Sequence, residues 1–600
     1  MGEEAAPLTA AEQAARLGIL TEYHDALGRR RVADPEAFAR IVEALEAPSP
    51  PQGGAGLKPA PAPPLGEAGL KPAPTQRCWQ GAAPRRDWAL AVQLYGVRSR
   101  RNWGHGDFTD LGGLIALAAD LGAGGIGLNP LHALFDAEPS PYAPNTRQFL
   151  NPRYIDVEAV PEFPGLRASG LEGEVAALRE RDLVDYGGVV AAKEKALRLA
   201  YEAFRRSGRG ERAREFESFR ARRGAPLAQF ACFETLRHRF GRPWSRWPAE
   251  WRAPSESSLA RLRTSEQEQV GYFEFVQWIA HQQLERCRAL AAERRLPIGL
   301  YLDIAVGARA DGYDAWSERD VILSTVDLGA PPDMLNTAGQ KWGIAGINPM
   351  GLEAGGFGLY RRVLQAAMRY AGAVRLDHVM GLERQFLVPN GMPADRGLYV
   401  RSPFAALLAV TAQESVAGRS IVIGEDLGTV PENFRETVAA WGIWSYLVMI
   451  FERGEHGAFK PAEDYRENAL ATFSTHDLPT FAGWRSSADL AVKRALGIDP
   501  GETDSERAAA IAAFDRALAV RRLSGSDFLS VARFLAATPS RLVVISMEDA
   551  LGVVDQVNVP GTVDEHPNWR RRLPVALEDL RADTRLAALA DAMRAEGRGR

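Results

Sequence analysis

Three acids stand where short apolar runs give out: Asp377 closes AVRLD, Glu425 closes IVIGE and Asp477 closes ATFSTHD. Successive members are separated by roughly 50 residues, the length of one or two strand-plus-helix units. Carboxylates at the ends of different strands of one sheet project into one pocket. Cleavage of a glycosidic bond needs such a set, because one carboxylate attacks while a carboxylic acid protonates the leaving oxygen, the two about 5–5.5 Å apart in retaining enzymes. Arg375 lies two residues before Asp377, so strand alternation points both side chains the same way, and a guanidinium there favours the ionised carboxylate. His378 and His476 flank the acids with donors suited to sugar hydroxyls. A single acid at a strand end is as readily a cap or an ion-pair partner. Three at matching ends argue for a site.

The elements that must hold these groups follow from the runs themselves. Eight apolar stretches recur along the chain: WALAVQLYGVR (88–98), GGIGLNPL (124–131), PIGLYLDIAVG (297–307), AVRLDH (373–378), IVIGEDLG (421–428), SYLVMIFE (445–452), ALATFSTHD (469–477) and RLVVISMED (541–549). Most are followed by a helix-like segment, such as FTDLGGLIALAADLG or NFRETVAAWG. Buried strands alternating with helices predict an α/β fold, a (β/α)8 TIM barrel, with polar strand ends gathered on one face. Residues 87–600 are then catalytic, with large helical insertions at about 150–296 and 308–370. Residues 1–47 read as a small helical N-terminal element with Thr9 as a cap. Residues 48–86 read as a Pro/Gly/Ala-rich linker in which GLKPAP occurs twice. Such a linker buries little, so the N-terminal element is expected to be separable from the barrel.

Composition excludes several functions. Among 600 residues, 72 Lys+Arg against 76 Asp+Glu leave a net charge of −4, which offers no footprint for nucleic acid. Cys78, Cys232 and Cys287 are isolated from one another and make neither a disulfide framework nor a paired-cysteine zinc site. No run of 18 uncharged apolar residues suggests a membrane span, and the acidic start MGEEAAPLTAAEQ reads as cytoplasmic. Gly104 and Gly106 in NWGHGDF lack the third glycine and the lysine of a phosphate cradle, so they read as turn glycines. The nine histidines hold no HxxxH pair or facial triad, so neither metal nor cofactor is expected.

At these residues the sequence resembles the amylomaltase family of 4-α-glucanotransferases, the longer bacterial type in particular. The resemblance runs from about Gln93 to Leu573 through LYGVRSRRNWGHGDF, LNPLHALF, PSPYAPNTRQFLNP, GAPPDMLNTAGQKWG, VRLDHVMG, VIGEDLGTVP, STHDLPTFAGW and NVPGTVDEHPNWRRRL. It implies retaining double displacement on maltodextrins and other α-1,4-glucans. By the same resemblance Asp377 is the nucleophile, Glu425 the acid/base and Asp477 the carboxylate gripping ring hydroxyls, with Arg375, His378 and His476 supporting the cleaved linkage. Tyr142 would stack beneath the donor sugar and Asn558 would belong to the donor side. Asp333, Gln340 and Trp342 would belong to the acceptor side or to a loop over the cleft, where Trp342, flanked by Gly339 and Gly343, would act as a lid. Longer members carry a β-rich domain ahead of the barrel, for which 48–86 is too short and too proline-rich. An α-glucan hydrolase using the same acids, or a non-catalytic glucan-binding protein, are the competing readings.

Overall fold

In a computed structural model that describes residues 8–25, 28–47, 76–83, 85–208, 210–333 and 338–599, eight parallel strands close into a barrel. They are β1 (Asp87–Val92), β2 (Gly125–Leu128), β3 (Gly299–Ile304), β4 (Ala373–Leu376), β5 (Ile421–Gly424), β6 (Trp444–Val448), β7 (Ala469–Thr472) and β8 (Leu542–Ser546). Each predicted run supplies one strand, the strands pair in chain order, and β8 closes onto β1 from Leu542–Asp87 to Ser546–Ala91. Strands covered on both faces carry near-continuous apolar residues, and β2, β4, β5 and β7 are buried at every position. Inside the barrel Tyr301, Ile421, Ile423, Trp444, Leu470 and Val544 pack together. Gly127 makes room there, since a Cβ would come within 2.8 Å of the Tyr301 ring.

The segments after β3 and β4 build a four-stranded antiparallel sheet in the order Leu398–Arg401, Arg384–Pro389, Ile322–Ala330, Gln340–Ile347. The second insertion is therefore partly strand, and Gln340 and Trp342 lie in a strand of this sheet, where a loop was expected. The N-terminal element also departs from expectation, because it is no separate body. Its helices α1 (Ala10–Leu17) and α2 (Pro35–Glu46) place Leu17, Ile41, Val42 and Leu45 in one apolar cluster with Leu323, Val326, Ile344, Leu387 and Val400 of the sheet. Backbone bonds extend the join: Leu20 N–H donates to the Tyr399 carbonyl (2.8 Å) and Arg401 N–H to that of Gly18 (2.9 Å). Helices this short are marginal alone in water and need a partner for their apolar stripe.

Residues 48–75 of the expected linker lie outside the described residues. Its last part is fastened at the amino ends of the strands: Cys78 N–H donates to the Trp441 carbonyl (2.8 Å), and Gln80 accepts from Trp444 Nε1 (2.9 Å) while donating to the Gly442 carbonyl (2.7 Å). After β1 comes α3 (Phe108–Leu121), opened by a reciprocal Asp107/Asp110 capping box. The first insertion is helical as expected, with α4 (Tyr186–Arg206), α5 (Glu211–Phe240) and α6 (Gln267–Glu293) joined by Phe204, Phe216, Phe275 and Trp278. A kink at Gly224 (φ 58°), just before Pro226, divides α5.

Candidate active site

The Leu376–Gly424 pair ends the β4–β5 ladder, so Asp377 and Glu425 are each the next residue on neighbouring strands about 4.8 Å apart. The ladder continues through the acids. Asp377 N–H donates to the Ile304 carbonyl (3.1 Å), Glu425 N–H to that of Leu376 (3.1 Å), and Val379 N–H to that of Glu425 (2.9 Å). The Glu425 carboxylate accepts from two backbone donors, His378 N–H at Oε2 and Leu427 N–H at Oε1, both at 2.8 Å. His378 has φ 46°, a left-handed backbone that a bulky residue adopts only when its surroundings impose it.

Arg375 joins the carboxylates. Its Nη1 lies 2.9 Å from Asp377 Oδ1, and its Nη2 lies 3.7 Å from Glu425 Oε2. The same Nη1 donates to both oxygens of Asp303 at 2.9 Å, and the guanidinium lies over the Tyr446 ring at 5.5 Å. Sequence reasoning missed Asp303. Its signal was present as the one charge inside the apolar run GLYLDI, and the β3–β4 register sets it directly beside Arg375. Tyr142 Oη donates to Asp303 Oδ2 (2.5 Å), while its ring stacks on His476 at 4.7 Å. Trp569, also missed, backs Tyr142 at 5.3 Å and His476 at 5.2 Å.

Asp477 differs from the other acids. The strand β7 ends at Thr472, so Asp477 lies in the following loop and not at the strand end. Its side chain is 45% exposed, against 17% for Asp377 and 9% for Glu425, which makes it the open wall of the pocket. Asn558 Nδ2 donates to its Oδ1 (2.6 Å), Gln556 Nε2 holds its backbone carbonyl (2.9 Å), and His476 Nε2 lies 3.3 Å from its Oδ2. On the opposite side the Trp342 ring stands edge-on to His378 at 5.0 Å and donates from Nε1 to Gln340 Oε1 (3.2 Å). Trp342 and Gln340 thus form the rim contributed by the antiparallel sheet. Asp333 is close enough to the Tyr399 phenol to act on it electrostatically.

Burial dominates the protonation of these groups. It pushes Glu425 up to about 7; Arg375 opposes the rise, Asp377 adds to it, and the two backbone donors oppose it. Burial also raises Asp377, with Arg375 opposing. The expectation that Arg375 holds Asp377 below the usual range is thus corrected: the contact is present, but desolvation outweighs it. Asp477 goes the other way, because His476 and Asn558 more than offset its burial, and His476 is correspondingly raised by Asp477 against its own desolvation. Burial and Arg375 drive His378 down to about 4, so it is neutral near pH 7. Among the described residues no group of three or more His, Cys, Asp or Glu is placed to hold a metal ion.

A closed parallel barrel with an arginine-linked set of acids at the carboxyl ends of its strands defines a (β/α)8 enzyme built for glycosidic chemistry. The match to the family described as 4-alpha-glucanotransferase, glycoside hydrolase 77, covers residues 92–578, and the chain belongs to that family. It is 38% identical over 556 residues to the 4-alpha-glucanotransferase of Mycobacterium tuberculosis, covering 86% of this chain and 75% of that protein. The corresponding figures for the Haemophilus influenzae enzyme are 35% over 528 residues, 81% and 75%. Among solved structures, amylomaltase from Corynebacterium glutamicum superposes with a TM-score of 0.81 at 26% identity, covering 97% of this chain and 99% of that one. Amylomaltase from Streptococcus agalactiae, solved with acarbose, shares the fold at a TM-score of 0.71 and 21% identity, covering 86% of this chain and 100% of its own. Among the described residues no helix is long and apolar enough to cross a membrane.

Proposed function

We propose that the 4-α-glucan transfer proceeds on maltodextrins by retaining double displacement, with Asp377 as nucleophile and Glu425 as acid/base. An Asp377 carboxylate oxygen bonds to C1 of the donor sugar as the C1–O4 bond breaks, and Glu425 passes its proton to the departing O4. The 4-hydroxyl of an acceptor then attacks C1 and gives its proton to Glu425, and the C1–Asp377 bond breaks. Asp477, held by Asn558 and His476, grips ring hydroxyls from the open wall. Tyr142 lies beneath the donor sugar, and Trp342, Gln340 and Asp333 belong to the acceptor side.

The observation that carries this reading is the shared guanidinium, at 2.9 Å from Asp377 and 3.7 Å from Glu425. Coulomb attraction grows as distance shrinks, so Arg375 favours the Asp377 anion more than that of Glu425. The proton of the coupled pair therefore rests on Glu425, as the first step requires. Transfer in preference to hydrolysis needs an intermediate screened from water, which the aromatic rings of Tyr142 and Trp342 support. Three free, buried cysteines accord with a reducing compartment such as the cytoplasm.

Incubation with maltotriose tests the reading. Glucose and maltodextrins longer than the substrate should appear while reducing ends stay constant. Glucose and maltose alone, with reducing ends rising, would replace transfer by hydrolysis.

A further inference from the structure

Trp569 combines a strained backbone with a position behind two site residues. It has φ 59°, an unusual conformation for a large side chain, and is 5% exposed. Its ring meets both Tyr142 (5.3 Å) and His476 (5.2 Å). Those two rings stack on each other and occupy the space between Asp303 and Asp477. A strained residue persists only where its surroundings over-determine it, and here the clamps are visible. Trp569 N–H donates to the Val557 carbonyl (3.2 Å), and its own carbonyl accepts from the Tyr186 hydroxyl (2.5 Å). Val184 N–H holds the Arg570 carbonyl (2.8 Å), and Leu573 N–H donates to the Gly96 carbonyl (2.8 Å). The chain passes so close to Gly96 that a Cβ there would come within 2.6 Å of the Arg571 carbonyl oxygen.

Tyr186 is the first residue of α4, deep in the helical insertion, and is itself braced by Arg153 over its ring at 4.7 Å and by His105 at 5.8 Å. We infer that the insertion serves the reaction through this contact: Tyr186 fixes Trp569, and Trp569 acts as a positioning residue that sets the ring planes of Tyr142 and His476, and through them the grip on the donor sugar. Neither Tyr186 nor Trp569 needs to touch the reacting atoms. A misplacement of about 1 Å far from the chemistry costs up to about 10²-fold, so a brace of this kind is felt in turnover of the donor.

The inference rests on the proposed donor-side place of Tyr142, and the experiment separates the two. Donor and acceptor constants are measured with a maltodextrin blocked at its non-reducing 4-hydroxyl, which cannot accept, and with glucose as acceptor. Trp569→Leu should lower kcat/KM for the donor by roughly 10–100-fold, with the glucose KM within about twofold of wild type. Trp569→Phe, which keeps a ring in place, should recover most of the loss. Tyr186→Phe removes only the hydroxyl and should shift the donor constant the same way by a few fold. It also decides the matter if Trp569→Leu does not fold. Donor constants unchanged in Tyr186→Phe, or donor and acceptor constants worsening together, overturn the brace. Tyr142→Leu is the control: if it leaves the donor KM unchanged, the donor-side assignment of Tyr142 fails, whereas donor effects in Tyr142→Leu without any in Tyr186→Phe refute the brace alone.

Discussion

The barrel buries an arginine at each end, and their partners differ in kind. At the carboxyl ends of the strands Arg375 faces the carboxylates of Asp303, Asp377 and Glu425. At the amino ends Arg598, fully buried, donates instead to backbone carbonyls: Ala536 (2.7 Å), Asp87 (3.0 Å) and Thr538 (2.6 Å). The acids around Arg375 drive its pKa still higher against its burial, whereas burial and the neighbouring Arg86 bring Arg598 down to about 9, still charged near neutrality. Carbonyl dipoles have no proton to exchange, so the amino end is a fastener. Carboxylates packed round one cation compete for protons, so the other end can do acid–base work. One residue type closes the barrel at one end and organises chemistry at the other.

The comparison breaks hardest if the acids at the Arg375 end are dispensable. Asp377→Asn should lower transfer by about 10⁴-fold or more, the scale seen when a covalent nucleophile is removed, with circular dichroism unchanged. Glu425→Gln should cost about 10²–10⁴-fold, much of it recovered with a donor whose leaving group needs no proton. That donor should then label Asp377, as peptide mapping of the trapped protein would show. A label on Glu425 reverses the roles.

Arg598→Met asks the opposite question at the other end. It takes away the donor that the buried carbonyls of Asp87, Thr538 and Ala536 share, leaving that of Ala536 to Arg86, so stability should fall by about 2–4 kcal/mol, read from the urea midpoint. The kcat of the folded fraction should equal that of wild type, because no reacting group is near. A variant as stable as wild type would show that Arg598 fastens nothing.

What the sequence made legible follows the same division. All eight strands were readable, because a strand buried on both faces leaves an uninterrupted apolar signature. The acids ending two of them, Asp377 and Glu425, were readable from position alone. Asp477 was found by its motif and misplaced by its geometry, since ATFSTHD continues polar after Thr472 and nothing local marks where the strand stops. Asp303 was hidden inside a run and becomes a site residue only through its register with Arg375, a long-range fact. Trp569 and Tyr186 are separated by 383 positions and carry no periodicity that joins them. The docking of α1 and α2 was equally illegible: their amphipathic faces announce a partner without naming the antiparallel sheet.

The smallest effect is a pH dependence of stability that belongs to Glu425. Its pKa rises from 4.5 to about 7 on folding, with burial as the leading cause. Between those two values the native state holds a proton that the unfolded chain has released, so stability is fully present below about 4.5 and is lost as pH rises through about 7. Glu425→Gln has no proton to lose. Its unfolding free energy relative to wild type, read from urea midpoints, should therefore climb between pH 4.5 and 7.5 and level off above, by a difference on the order of 1–3 kcal/mol. Asp477, whose pKa is lowered, acts in the opposite direction and at lower pH, and it is present in both proteins, so it largely cancels from the difference. The same proton sets the basic limb of activity: donor kcat/KM in wild type should fall as pH rises through about 7, as a property of the coupled Asp377–Glu425 pair. A stability difference that stays flat across this range, or one that favours wild type increasingly at pH 7.5, would mean that the pocket does not hold Glu425 protonated, and the acid at this end of the barrel would have to be sought elsewhere.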